Sequence, residues 1–128
     1  MPDIETPLIA EVYDQLQRAM AANPAGFTEL YRDYLADAWQ TLQTLREAVR
    51  QHHREEICAT AHYLKSSSLV LGARRVARHA TMLEETARKS DIEEEVALER
   101  IAHALREVQD ELAVRLGGAV IPAGRTAA

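Results

Sequence analysis

Residues 62–73 read HYLKSSSLVLGA, and their spacing, extended back to Ile57, predicts a helix with one buried face. A helix turns about 100° per residue, so residues three and four positions apart share a face. By this rule one stripe forms the core seam: Ile57, Ala61, Leu64, Ser68 and Leu71. His62 lies roughly 140° from the centre of that seam. We therefore expect the His62 side chain to face solvent.

The side chains around His62 on this helix are mostly small. Five of them fall within about 60° of it: Cys58, Ala59, Lys65, Ser66 and Leu69. An accessible imidazole with such open surroundings suits the approach of a bulky reacting group. Leu69 has no obvious core partner on this face, so it is either a docking contact for a protein partner or a contact with a neighbouring helix.

The same stretch resembles the phosphorylation-site signature of histidine-containing phosphotransfer (HPt) domains, which runs roughly A-H-x-L-K-G-[SA]-x-x-x-[LIF]-G-[AL]. The matching residues are Ala61, His62, Leu64, Lys65, Ser67, Leu71, Gly72 and Ala73. Ser66 departs from the pattern, because the family usually has glycine there. A serine on the His62 face narrows the opening that glycine would leave, but it is still small and its hydroxyl can donate to a phosphoryl oxygen.

The resemblance implies a phosphorelay intermediate of two-component signalling. The Nε2 atom of His62 would take a phosphoryl group from an aspartate of one receiver domain and pass it to another. Lys65 would disfavour protonation of the free imidazole and then act as a counter-ion to the phosphoryl group. Response-regulator receiver domains and a hybrid sensor kinase are the implied partners. Mg²⁺ is expected from the receiver, and we expect this chain to hold no cofactor of its own.

The implied protein is a phosphocarrier, because the sequence has no P-loop and no kinase motif with which to use ATP. A second interpretation keeps the same helical bundle but assigns it no phosphoryl transfer. The chain would then be a non-phosphorylated interaction module that binds a receiver or another helical partner, and Ser66 keeps this interpretation open. The relay interpretation predicts a monomer, whereas an unrelated helical dimer would be larger in solution.

Composition and charge indicate the fold class and disfavour several kinds of partner. The chain has 128 residues, which suits one domain with one core. The low numbers of aromatic residues, glycines and prolines favour an all-α fold.

The net charge of −5, with dispersed basic residues, argues against a nucleic-acid partner. The sequence has no run of about 18 apolar residues, so it predicts no membrane span. The acidic first residues lack the order of a secretory signal, so we expect a cytoplasmic protein.

Cysteine and histidine content predicts neither a disulfide nor a metal site. Cys58 is the single cysteine of the chain, which fits a reducing compartment. Five histidines are present, but His52 and His53 are adjacent and point about 100° apart. The sequence contains no HxxxH or ExxH pair of the kind that places two ligands on one helix face. We expect no bound metal.

The apolar residues before the signature predict two helices. The first runs from near Pro7 to about Ala22 and is stopped by Asn23-Pro24. Its inward face has four residues: Ile9, Val12, Leu16 and Ala19. The second begins near Ala25 and keeps a regular 3,4 rhythm over roughly 25 residues. It is predicted to be the longest helix of the domain.

Three further helices follow. The third spans about 53–71 and ends at Gly72, which takes the left-handed conformation of a C-terminal cap. The fourth follows at once and gives way at residues 89–91, where a serine or an aspartate caps the fifth helix. The fifth spans about 92–116.

Short connections force consecutive helices to run antiparallel. We therefore predict an up-down antiparallel four-helix bundle, with the additional N-terminal helix covering one end. The bundle domain is expected over residues 1–116. Residues 117–128 contain three glycines and a proline without apolar period, so we expect them to form a flexible tail.

Overall fold

The structure, a computed structural model, describes residues 6–89 and 93–120. Its helices are α1 (Ala10–Ala19), α2 (Pro24–Arg50), α3 (Arg54–Val70), α4 (Arg74–Arg88) and α5 (Glu94–Leu116), followed by a 3₁₀ turn at Gly118–Val120. Helices and this turn make up all the regular secondary structure of the described ranges, which confirms the all-α prediction. Hydropathy along these five helices stays too low for any of them to span a bilayer.

Helices α2 to α5 form a closed ring. α2 packs against α3, α3 against α4, α4 against α5, and α5 returns to α2. Residues 51–53 and 71–73 are the only connections between α2, α3 and α4. Connections this short reverse the chain direction between neighbouring helices. The predicted up-down four-helix bundle is confirmed.

α1 covers the end of the bundle where α2 begins. The ring of Tyr13 packs edge-on against Phe27 and beside Tyr31, with ring centroids 5.1 Å and 5.6 Å apart. The backbone amide of Ile9 donates a 2.8 Å hydrogen bond to the carbonyl of Gly72, in the turn between α3 and α4. These contacts place the first helix at one end of the bundle, as predicted.

The first helix is shorter than predicted, and its inward face is shifted: Ile9, Val12 and Leu16 are half-buried, as part of the predicted face. It occupies Ala10–Ala19 and does not extend from near Pro7 to Ala22. Ala19 is exposed, whereas Tyr13, which the predicted inward face leaves out, is buried. A tyrosine ring buries far more apolar area than an alanine methyl group, so Tyr13, four residues after Ile9 and three before Leu16, takes the centre of this face.

Asn23 separates α1 from α2 and caps the second of them. Its side-chain Oδ1 accepts a 3.0 Å hydrogen bond from the amide of Gly26. Pro24 occupies the first turn, where a missing backbone N–H costs nothing. With 27 residues, α2 is the longest of the described helices, as the sequence predicts.

The buried face of α3 is the predicted seam. All five of its residues are buried: Ile57, Ala61, Leu64, Ser68 and Leu71. The hydroxyls of Tyr34 and Ser68 share a 2.7 Å hydrogen bond, and the Tyr31 hydroxyl donates to the Leu71 carbonyl at 3.0 Å. Burial raises the pKa of Tyr34, so its phenol stays neutral in this bond. These bonds from α2 fix the rotation of α3 and therefore the direction of its opposite face.

Gly72 ends α3 as predicted. Its φ angle of +83° is in the left-handed region. The amide of Ala73 donates to the Ser68 carbonyl at 2.8 Å and the amide of Gly72 donates to the Leu69 carbonyl at 3.2 Å, the two bonds of a Schellman cap. A Cβ atom at this position would also lie 3.0 Å from Cβ of Val12. Glycine is therefore required both by the turn and by the approach of α1.

The packed domain extends beyond the boundary predicted at residue 116. Val120, in the 3₁₀ turn, is fully buried against the core, and this turn contacts α2 and α5. A single anchoring residue has no periodicity, so the sequence pattern does not reveal it. The remainder of the predicted tail, residues 121–128, lies outside the described residues. So do the predicted caps Ser90 and Asp91 and the predicted start of the fifth helix at Ile92.

Candidate functional site

His62 lies near the middle of α3 on the face opposite the seam. The side chain is 59% exposed, while its neighbour Ala61 is fully buried. Because one step along a helix turns the side chain by about 100°, the bonds that hold the seam inward also hold His62 outward. The exposure predicted from the phase of the helix is confirmed.

A buried carboxylate from α4 lies against the imidazole. Oε1 of Glu84 is 3.8 Å from Nδ1 of His62, and the Glu84 side chain is only 11% exposed. Oε2 of the same carboxylate accepts a 2.7 Å hydrogen bond from the guanidinium of Arg88. A buried carboxylate is stable only when it is paired and hydrogen-bonded, and Arg88 supplies that partner one turn along α4.

The sequence analysis missed Glu84, although one signal was present. Glu84 lies beside the inward residues Leu83 and Ala87 of α4 and has an arginine four positions later. An acid bordering a buried stripe, with a cation at that spacing, indicates a paired carboxylate at a helix interface. The pattern does not reveal which residue of the next helix the carboxylate meets.

The contact with Glu84 distinguishes the two ring nitrogens of His62. Nδ1 is the nitrogen closer to the backbone, and it faces the carboxylate. Nε2 is at the far end of an exposed ring. The nitrogen that an incoming group meets is therefore Nε2, the atom that the HPt resemblance implies as the attacker.

The predicted docking residues share the His62 side of α3 but differ in accessibility. Ala59 is exposed, and Leu69 is 50% exposed, so neighbouring helices leave half of this leucine open. Cys58 is half-buried and packs against the core, and its thiol lies 3.8 Å from the backbone carbonyl of Glu84. The surface open to a partner is formed mainly by Ala59 and Leu69.

Two exposed side chains of α3 that the sequence analysis did not select extend this surface. Tyr63 and Val70 are both at least half exposed. The Tyr63 hydroxyl donates a 2.6 Å hydrogen bond to Oδ2 of Asp37 on α2, and this bond raises the pKa of Tyr63. Both lie within about 100° of His62 around the helix. Together with Leu69 they form an apolar margin beside the imidazole.

Lys65 and Ser66 border His62 without being engaged by the rest of the protein. Lys65 is half-buried and Ser66 is exposed. Within the described residues, neither side chain forms an ion pair or hydrogen bond. By contrast, the Ser67 hydroxyl donates to the Leu64 carbonyl at 3.2 Å, and Ser68 is bonded to Tyr34. Of the three serines, Ser66 is therefore the one whose hydroxyl is available to a bound group.

A groove with a volume of about 560 Å³ lies beside His62. It runs between α3 and α4 and is lined by Arg54, Glu55, Cys58, Ala59, His62 and Glu84. This opening is large enough to admit a side chain from another protein together with a phosphoryl group. No group of three or more His, Cys, Asp or Glu side chains in the described ranges could hold a metal ion.

A helical bundle that presents such a histidine, with a lysine and small residues around it, defines the class of histidine phosphotransfer modules. The family model of the Hpt domain matches residues 29–113, which is more than half of the chain. The chain therefore belongs to the Hpt domain family.

One solved structure with this fold is histidine-containing phosphotransfer protein B (HptB) from Pseudomonas aeruginosa PAO1. It superposes with a TM-score of 0.78 over 85% of this chain and 93% of the HptB chain, with 23% sequence identity. At this level of identity the similarity establishes the fold. A search of the curated proteins found no match to the sequence.

Membership of the Hpt family gives the general function. Hpt domains take part in histidine phosphotransfer within two-component phosphorelays, where they interact with receiver domains and kinases. They are phosphocarriers and not kinases. The structure of this chain agrees with that role in the position of His62 and in the open space around it.

Proposed function

We propose that His62 is the phosphoryl acceptor of a phosphorelay intermediate, which takes the group from an aspartyl phosphate on one receiver domain and passes it to an aspartate on another. The observation that carries this proposal is the exposed His62 ring, whose Nδ1 faces Glu84 and whose Nε2 is open to a partner. The groove beside the ring supplies the space in which the two proteins meet.

The transfer is a substitution at phosphorus. The Nε2 lone pair of His62 attacks the aspartyl phosphate, the N–P bond forms, and the O–P bond breaks to release the receiver carboxylate. The proton on Nδ1 stays on the ring, so no proton has to leave during the transfer. Donation to the second receiver is the reverse step. Such reactions depend mainly on positioning and on charge stabilisation of the group in flight.

Lys65 and Ser66 stabilise the phosphoryl group once it is attached. A phosphoryl group carries about −1.5 to −2 charges near neutral pH, so a lysine one turn from the histidine becomes a favourable counter-ion. The Ser66 hydroxyl donates to a phosphoryl oxygen. Both roles are supported because the Lys65 and Ser66 side chains are available: no protein group in the described ranges forms an ion pair or hydrogen bond with either.

The partner supplies the rest of the machinery. Mg²⁺ and the acidic residues that bind it come from the receiver domain, which docks over Ala59 and Leu69, with Cys58 at the edge of the contact. The exposed apolar surface of Leu69 and Val70 supports docking of another protein on this face. A hybrid sensor kinase acts upstream. The protein works as a monomer in the cytoplasm, together with its receivers.

The test is the intact mass of the protein after incubation with Mg²⁺ and receiver domains charged with acetyl phosphate. The wild-type protein should gain one acid-labile phosphoryl group, and His62→Gln should gain none. His103→Gln is the matched control, because His103 is also an exposed helix-surface histidine and its loss should leave the mass gain unchanged. Phosphorylation that persists in His62→Gln would overturn the proposal. Binding of receivers without any mass gain would instead favour the non-phosphorylated interaction module.

A further inference from the structure

Tyr63 follows His62 directly in the sequence, and its side chain is bonded to another helix. One step along α3 turns the side chain by about 100°, so Tyr63 points away from the His62 face and toward α2. There its hydroxyl donates a 2.6 Å hydrogen bond to Oδ2 of Asp37. The bond joins two exposed residues of different helices beside the candidate site.

The main effect of this bond is on the position of the tyrosine ring. Water can replace a hydrogen bond between exposed groups, so the bond adds little to the stability of the bundle. It does fix the far end of the Tyr63 side chain, while half of that side chain stays exposed. A ring that is held in place and still open to solvent is a preorganised contact for another molecule.

Exposed apolar side chains are concentrated on α3. Within the described ranges, half of the large apolar residues with high exposure belong to this helix: Tyr63, Leu69 and Val70. All three lie within about 100° of His62 around the helix. The others are spread over α4 and α5. A protein that reaches Nε2 of His62 therefore covers the apolar residues of α3 first.

The size of a protein contact extends this surface beyond α3. A specific interface of ordinary size covers about 800 Å² of each partner. An α-helix with its side chains is only about 10–12 Å wide. A receiver domain centred on His62 consequently reaches over the neighbouring helices, and on the α2 side it meets Tyr63 and Asp37.

We propose that Tyr63 is a specificity-determining contact for the receiver domain, and that Asp37 is a positioning residue that holds the Tyr63 ring in place. The inference rests on the proposed function, because the partner is the receiver that exchanges phosphate with His62. A fixed ring fits only those receivers whose surface matches its position, whereas a free ring adapts to many. The bond also reduces the conformational entropy that Tyr63 loses when a matching receiver docks.

The test compares two receiver domains that differ in their rate of transfer to the wild-type protein. Each is charged with acetyl phosphate and Mg²⁺, and kcat and KM are measured at varied concentrations of this protein. Tyr63→Phe and Asp37→Ala should each raise KM for the preferred receiver about threefold and change KM for the other receiver less. Both should leave kcat unchanged, because the surroundings of His62 are intact. Tyr63→Ala, which removes the whole ring, should raise KM about tenfold.

A double variant and a charge-matched control identify the bond as the cause. Tyr63→Phe combined with Asp37→Ala should be no worse than either single variant, because both remove the same hydrogen bond. Asp33 is one turn before Asp37 on α2, is exposed, and forms no ion pair or hydrogen bond within the described residues. Asp33→Ala should leave both KM values unchanged. Equal effects of Asp33→Ala and Asp37→Ala would overturn the inference, since they would reflect general electrostatic attraction.

The outcomes separate this inference from the proposed function. If the wild-type protein gains no phosphoryl group from any receiver, the proposed function fails. Calorimetric titration with the unphosphorylated receivers then still decides the role of Tyr63, because binding needs no phosphate. If transfer occurs but Tyr63→Phe keeps both KM values, the inference is overturned. Urea denaturation completes the test: a loss of stability in Tyr63→Phe with unchanged receiver preference would show a purely structural bond and would also overturn it.

Discussion

The described residues include two Arg–Glu–His groups, and their comparison shows how the surroundings of His62 differ from those of another surface histidine. In the first, Arg88 and His62 contact Glu84. In the second, Arg75 contacts Glu107 at 2.9 Å, and His103 lies 3.5 Å from the same carboxylate. Both histidines are exposed, and each borders a groove, of about 560 Å³ at His62 and about 450 Å³ at His103. Neither the residue types nor the exposure of the histidines separates the two groups.

The difference lies in the nitrogen that each glutamate engages. Glu84 reaches His62 from another helix and faces Nδ1, so Nε2 stays open. Glu107 is four residues from His103 on the same helix and faces Nε2, the nitrogen that projects furthest from the backbone. In these two groups the glutamate on the same helix reaches the tip of the ring, and the glutamate on the other helix reaches its base. The reactive atom is therefore free in one group and occupied in the other.

The surroundings of the two rings provide the sharpest test. Ala59 and Arg100 each precede their histidine by three positions and line its groove. Ala59→Leu should reduce phosphoryl transfer by about a hundredfold, because a partner displaced by even 1 Å loses the in-line geometry. Arg100→Leu should leave transfer unchanged. Rates of transfer from a phosphorylated receiver measure both, and a similar loss in the two variants would remove the distinction between the groups.

Charge beside the ring should have the next largest effect. Lys65→Ala should slow phosphoryl transfer to His62 by about tenfold, because the incoming group loses its counter-ion. The chain has one other lysine, Lys89, which is exposed after the end of α4. Lys89→Ala should have no effect, which controls for net charge. A loss of equal size in Lys89→Ala would show that the effect is a general electrostatic attraction between the proteins.

The two arginines should differ in their contribution to stability. Arg88→Ala should lower the free energy of unfolding by about 1–2 kcal/mol, because it leaves a mostly buried carboxylate without its strongest partner. Arg75→Ala should cost about 0.5–1 kcal/mol, since the Glu107 side chain is 30% exposed and water can replace the lost contact. Urea denaturation gives both values. A larger loss in Arg75→Ala would contradict the burial argument.

The smallest effect is expected at Ser66. Ser66→Gly should transfer as fast as wild type or up to about threefold faster, because it widens the approach to His62. The substitution should also lower the free energy of unfolding by about 0.5–1 kcal/mol through the flexibility of glycine in a helix. Ser67→Gly is the control, since the Ser67 hydroxyl turns to the Leu64 carbonyl. It should show the loss of stability without the faster transfer.

Much of the fold could be predicted from the sequence, because it depends on local patterns. The 3,4 spacing of apolar residues predicts the seam of α3, and all of its residues are buried. The end of α3 was predictable for the same reason, since the left-handed conformation of Gly72 is a property of its own backbone. Tyr13 and Val120 were missed, because their burial depends on partners that lie elsewhere in the chain.

The residues of the candidate site also differ in whether the sequence could predict them. His62, Lys65, Ser66 and Leu69 are on one helix, so their common face follows from spacing alone. Glu84 belongs to another helix, and the sequence around it does not indicate that His62 is its partner. Its distance from Nδ1 results from how closely α3 and α4 pack and in which rotation.

The sequence by itself determined that His62 faces outward among small residues, since helical periodicity converts residue spacing directly into direction. It also determined where α3 ends and that the chain forms a helical bundle. Only the tertiary structure decided which nitrogen of His62 is open to a partner. That choice depends on a contact between side chains of two helices, and such a contact exists only after packing has set their separation and rotation.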